Sequence, residues 1–141
     1  MFNTLLLAID INDPEAAVRS TQAAVDMATE KGAVLHVMNV VPDDGMAIVS
    51  ASLSADHTAT VMAETKEGLA AWAKANVPDA IQSELHVMRG TVYDQIIKAA
   101  SDLGVDAIFV GAHRPALKDY LIGPNAARVA RHATQSVFVI R

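Results

Sequence analysis

The sequence predicts a doubly wound α/β fold in a single domain spanning residues 1–141. Short apolar runs of strand length alternate with segments of helical period along the chain. Gly, Pro, Asn and Asp mark the joints between them. Strands separated by helices pair in parallel through right-handed crossovers, and at this length they give an open sheet with helices on both faces instead of a closed barrel.

Thr4 to Ile9 (TLLLAI) is the first strand, apolar throughout as a strand buried on both faces must be. Asp13 is placed to cap the following helix and Pro14 to open it, with Ala17, Thr21, Ala24, Val25 and Ala28 at helical spacing and Gly32 ending it. Ala33 to Val41 is a second apolar strand, stopped by Pro42, Asp43, Asp44 and Gly45. Met46 to Leu53 has no clear period and reads as a loop or lid. From about Ser54 a helix is expected, with Ala63, Lys66, Leu69, Ala70 and Ala73 on its packed side, Trp72 on or near it, and an end before Pro78. Gln82 to Met88 is a third, less apolar strand suited to a sheet edge. A helix begins at Gly90 and Thr91 with Val92, Ile96, Ile97 and Ala100 inward, and closes at Gly104. Ala107 to Val110 and Ser136 to Ile140 are the fourth and fifth strands, and a helix follows Gly123.

At this size a domain buries roughly 68–70% of the surface that its unfolded chain exposes, so neither disulfide nor metal is required for folding. The formal net charge of −5 argues against general binding to nucleic acid or anionic lipid. The chain has no cysteine, which excludes a thiolate nucleophile and a sulfur-ligated zinc site. The N-terminal apolar run has no basic flank and stops at Asp10, too short for a signal peptide or membrane span, so the expected location is cytoplasmic.

Open α/β sheets bind ligands at the carboxyl ends of their strands, where the strand order reverses. Asp10 and Gly111 stand at such ends, and the helix after Gly123 would point the positive end of its dipole toward the same crevice. His113, Arg114, Lys118 and Asn125 would add donors, and a polyphosphate is the simplest ligand that needs them all.

From TLLLAID through LHVMNV and RGTVYDQI to QSVFVIR, the chain resembles the universal stress protein family over nearly its full length. HRP, YLIG, NAARV and RHA, in that order, are most similar to its F/G-type branch. The resemblance implies an adenine nucleotide alpha hydrolase-like sheet of order 3-2-1-4-5 and homodimerisation through the last strand, Ser136 to Ile140. In the nucleotide-binding members it also implies an ATP site, with Mg2+ as a possible companion of the phosphates.

That site follows GxxG, nine residues, then Gly and Ser or Thr. Gly111 matches the first glycine and Gly123 the third. Arg114 stands where the second belongs, eight residues (Pro115 to Ile122) follow it, and Pro124 replaces the hydroxyl residue. Asp10 and Val37 match adenosine-side positions, while Ala8 stands where some binders have proline. Pro124 lacks an N–H, and one lost charge-assisted hydrogen bond, about 1.5–3 kcal/mol, weakens binding roughly 10- to 100-fold. Arg114 adds a planar fork of donors that would either bind phosphate or fill its place.

Each candidate has a structural alternative. Asp10 can fold back on its own turn, and Gly111 and Gly123 can serve tight turns alone. Arg131 is expected on a solvated face, while the three-residue spacing leaves the role of Arg128 open. His36, His57 and His86 have no metal-ligand spacing and read as structural or surface residues. Without a nucleophile elbow, Walker loop or carboxylate pair, no catalytic residue is assigned and ATP hydrolysis would be slow at most. Two functions from different classes follow. The first is a homodimeric ATP-binding stress-response regulator that uses Asp10, Val37, Gly111, His113, Arg114, Gly123 and Asn125. The second is a nucleotide-free dimeric interaction module whose pocket is closed by Arg114 and Pro124.

Overall fold

The computed structural model describes residues 1–42, 47–112 and 122–141. In chain order the elements are β1 (Thr4–Ile9), α1 (Pro14–Lys31), β2 (Val34–Val41), α2 (Ala47–Asn76), β3 (Ser83–Arg89), α3 (Val92–Leu103), β4 (Ala107–Gly111), α4 (Pro124–His132) and β5 (Ser136–Ile140). The strands form one parallel sheet in the order β3-β2-β1-β4-β5, as expected. β1 is central, with Leu5 in register with Leu35 on one side and Ala107 on the other. The order reverses there, because the chain leaves β1 toward β2 and returns to its opposite side as β4.

Alternation along β1 explains why its run is apolar without a break. Leu5, Leu7 and Ile9 join the core beneath α1 and α2, whereas Leu6 joins the core beneath α3 and α4. Leu5, Leu6 and Leu7 are fully buried, and removing each such side chain from water contributes about 1.5–3 kcal/mol. On the first face Phe109 stacks on Phe138 at a ring separation of 4.7 Å, tying β5 to the sheet interior. Phe138 also meets Phe2 edge to face at 5.6 Å.

The helix ends follow local chemistry. Gly32 and Gly104 adopt left-handed φ angles of 63° and 65°, a conformation that costs glycine no steric penalty, and donate their N–H groups back to the last turns of α1 and α3. Pro14 opens α1 as expected, but the side chain of Asp13 makes no capping hydrogen bond. Instead the Asp13 carbonyl accepts from Ala16 N–H at 3.2 Å.

α2 departs from its expected start. It begins at Ala47, so most of the expected loop from Met46 to Leu53 is helical; Met46 itself and the turn residues Asp43, Asp44 and Gly45 lie outside the described residues. Glycine and proline are absent between Gly45 and Gly68, and the alanine-rich composition supports a helix where amphipathic period is weak. Its packed side is also narrower than expected. Leu69 and Ala73 are buried and Trp72 is half-buried, but Ala63, Lys66 and Ala70 are exposed. Among the described residues, no helix is long and apolar enough to cross a membrane.

Candidate functional site

A cavity of about 250 Å³ opens where β1 and β4 end. Asp10 and Asp13 line it from the β1–α1 turn, Gly111 from the end of β4, and Gly123, Pro124 and Asn125 from the start of α4. Ala17 and Ser20 of α1 and Val40 and Ile96 supply wall, so elements from both faces of the sheet meet there. The parallel order makes this possible: at the reversal point no crossover covers the gap between β1 and β4.

The turn after β1 is fixed by its own polar groups. Asp10 accepts Asn12 N–H at its Oδ1 atom (2.9 Å) and Asp13 N–H at its carbonyl (3.0 Å). It therefore both folds back on the turn and lines the cavity. Asn39, 2% exposed inside an apolar strand, accepts Ile11 N–H at 2.8 Å and donates to the Val40 carbonyl at 3.3 Å. Sequence reasoning passed over this residue, although a polar side chain in the run VLHVMNVV is itself a signal, since buried amides must find partners.

Gly111 approaches α1 closely. A Cβ there would stand 3.1 Å from the Ala16 carbonyl oxygen and 3.8 Å from Ser20 Oγ, so a missing side chain lets α1 lie against β4. Gly123 has an extended backbone that any residue adopts, with φ −60° and ψ 154°. It is buried and sits at the N-cap of α4, where, among the described residues, no side chain caps the helix. Ala127 N–H is satisfied by the Gly123 carbonyl at 3.0 Å, and Pro124 carries no N–H. Asn125 and Ala126 thus supply the first-turn donors of an uncapped helix that borders the cavity, a polarised end suited to an anion.

Of the residues proposed from sequence, Asp10, Gly111, Gly123 and Asn125 come together around this cavity. Val37 does not line it. That residue is fully buried beneath α1 and α2, in register with Leu7 and short of the strand end, and Val40 reaches the cavity instead. His113, Arg114 and Lys118 lie outside the described residues. The role left open for Arg128 has an answer here, since its guanidinium sits 4.9 Å from the centre of the Tyr93 ring and packs α4 on α3. Arg131 is exposed, as expected.

A model of the universal stress protein family matches residues 1–141. The chain belongs to the universal stress protein family. Universal stress protein G of Escherichia coli O157:H7 is 29% identical over an alignment that covers the whole of both chains. Among solved structures, the universal stress protein UspA from Lactobacillus plantarum superposes with a TM-score of 0.70 at 23% identity, over 99% of this chain and 98% of that one. The universal stress protein from Archaeoglobus fulgidus in complex with dAMP superposes with a TM-score of 0.69 at 22% identity, over 100% of both. At these identities the solved structures carry the fold.

A second group of polar side chains lies away from this cavity. His36, buried on β2, places Nδ1 2.9 Å from His86 Nε2 and 3.3 Å from Glu84 Oε2, both on β3. Burial holds the His36 imidazole below its ordinary pKa, with His86 acting in the same direction and Glu84 opposing. The Glu84 side chain is 57% exposed, so solvent screens its pull and burial prevails. These histidines show no metal-ligand spacing along the chain, because such spacing relates only neighbours in sequence. The β2–β3 register brings together what the sequence keeps apart.

Proposed function

We propose that this universal stress protein is a homodimeric stress-response regulator that binds an adenine nucleotide, with ATP as the expected ligand, in the cavity between β1 and β4. The observation that carries this reading is the convergence of Asp10, Gly111 and the uncapped start of α4 on one hollow. Asp10 offers a carboxylate suited to ribose or base donors, and Asn125 and Ala126 offer N–H groups suited to phosphate. The cavity therefore offers both an acceptor and N–H donors, as a nucleotide requires. The relative from Archaeoglobus fulgidus, of the same fold, is described in complex with dAMP, which supports the ligand class.

The cavity is smaller than the roughly 300–1,000 Å³ of typical ligand clefts, which favours a site that holds one part of the nucleotide while the rest lies at the surface. Mg2+ would accompany the phosphates of ATP. Pro124 removes one first-turn donor, so affinity is expected to be lower than with a donor at that position.

Bound nucleotide in protein purified without added ligand, followed by calorimetric titration with ATP, ADP and AMP, tests the reading. Gly123→Val supplies the control: the Gly123 backbone angles are open to valine and the residue lines the cavity, and circular dichroism and the thermal midpoint check that the fold is retained. Saturable ATP binding that weakens at least about tenfold in this variant, or about 1.4 kcal/mol, is the expected result. Absence of heat and of bound nucleotide at millimolar ATP would leave the nucleotide-free interaction module as the function.

A further inference from the structure

The group formed by His36, Glu84 and His86 is built at the opposite end of β2 from the nucleotide cavity. His36 is directly opposite Glu84 in the β2–β3 register, and His86 is opposite Met38, so the side chains of His36, Glu84 and His86 project on one face of the sheet. Val40, which lines the cavity, lies four residues beyond His36, roughly 13 Å along the strand. β3 is an edge strand, so the group is open to solvent from one side while the buried His36 closes it from the other.

The facing atoms are short of protons. A hydrogen bond between His36 Nδ1 and His86 Nε2 uses one proton and one lone pair, whichever tautomer is present. Glu84 Oε2, which as a carboxylate oxygen can accept but not donate, stands 3.3 Å from the same Nδ1. If Nδ1 carries the proton, that proton is shared between two acceptors. If it does not, a carboxylate faces a bare nitrogen lone pair. One candidate ligand atom from each of the three residues lies within 4.8 Å of the other two, and a cation at their centre would satisfy all of them at once.

The donor set and its spacing select the ion. Two imidazole nitrogens and one carboxylate oxygen suit zinc and its late first-row neighbours better than calcium or magnesium, which prefer all-oxygen shells. Ligands about 2.0–2.2 Å from a tetrahedral zinc ion stand roughly 3.3 Å from each other. The His36–Glu84 separation of 3.3 Å matches this already, and the 2.9 Å between the imidazoles needs to open by only a few tenths of an ångström.

We propose that His36, Glu84 and His86 form a binding site for one Zn2+-class divalent transition-metal ion that staples edge strand β3 to β2. Three protein ligands leave the fourth tetrahedral position to water. The ion would bind the folded chain in preference to the unfolded one, because only the sheet register assembles the ligands, and so it would raise thermal stability. This site is independent of the nucleotide reading and shares no residue with it.

The test uses untagged full-length protein, stripped with chelator and titrated with Zn2+ in the absence of nucleotide. Native mass spectrometry and calorimetry should give one ion per chain, and Co2+ should give the absorption of a tetrahedral complex. The thermal midpoint should rise with Zn2+ and fall back on chelation. Because Glu84 is exposed on an edge strand, Glu84→Gln should leave the metal-free midpoint unchanged while weakening Zn2+ at least tenfold, the lower range seen even for outer-shell substitutions. His86→Ala should abolish the tetrahedral Co2+ signal. Weakened Zn2+ binding in Glu84→Gln and its loss in His86→Ala, with the fold retained, support the site. Failure to bind a stoichiometric ion, or binding that survives both substitutions, overturns it and leaves a hydrogen-bonded histidine pair.

Discussion

At the scale of single residues, two positions separate packing from the proposed ligand contact. Gly111 is held by packing: a Cβ 3.1 Å from the Ala16 carbonyl oxygen forces α1 away from β4, so Gly111→Ala is expected to destabilise by about 1–3 kcal/mol in chemical denaturation. Asp10→Asn keeps an oxygen to accept Asn12 N–H while removing the charge. Its free energy of unfolding should stay within about 0.5 kcal/mol of the parent, and ATP affinity should fall; a large loss of stability would show that the charge serves the turn. His36 offers a third test, in metal-free protein. Its folded pKa is lowered by burial, with His86 adding to the shift and Glu84 opposing it, so as pH falls the unfolded chain, titrating near 6.5, takes up the proton first. Stability is then full above pH 6.5 and declines from there down through the lowered folded value. Denaturation midpoints measured across this window should fall with pH, and His36→Gln should flatten the slope.

At the scale of elements, the sequence is most legible where one physical rule acts alone. β1 and β5 run from Thr4 to Ile9 and from Ser136 to Ile140, as read from unbroken hydrophobicity, and α1 and α3 close at Gly32 and Gly104 because only an αL residue ends them in this way. The start of α2 was not legible, since its small residues carry no strong period and only the lack of a breaker marks them as helical. Val37 and Val40 are equally apolar, and which of them reaches the cavity depends on register with β1, a long-range quantity. The pairing of His36 with Glu84 and His86 is hidden for the same reason, although the i, i+2 spacing of Glu84 and His86 in a strand already puts them on one face. α2 itself gives a direct test of element packing. Leu69 is fully buried in the first core, so Leu69→Ala should cost about 2–5 kcal/mol in the free energy of unfolding.

At the scale of the whole molecule, the sheet has two edges of different chemistry. β3 is flanked by the His36–Glu84–His86 group, and β5 presents an apolar edge held to the interior by Phe138 on Phe109. A second chain pairing along Ser136 to Ile140 would remove an exposed strand edge. Light scattering of the full chain is expected to give the mass of two 14.9 kDa protomers. Truncation after Gln135 should give monomers or aggregate, and a truncated chain that remains a soluble dimer would refute pairing through β5. The proposed nucleotide site draws on the same architecture, because the reversal of strand order at β1 and β4 leaves the hollow that α4 borders. The most direct measurement is a backbone amide NMR titration with ATP. The largest shifts are expected at Asn125, Ala126 and Gly111, with His36 and His86 unmoved. Saturating shifts elsewhere, or none at millimolar ATP, would contradict a nucleotide site at the start of α4.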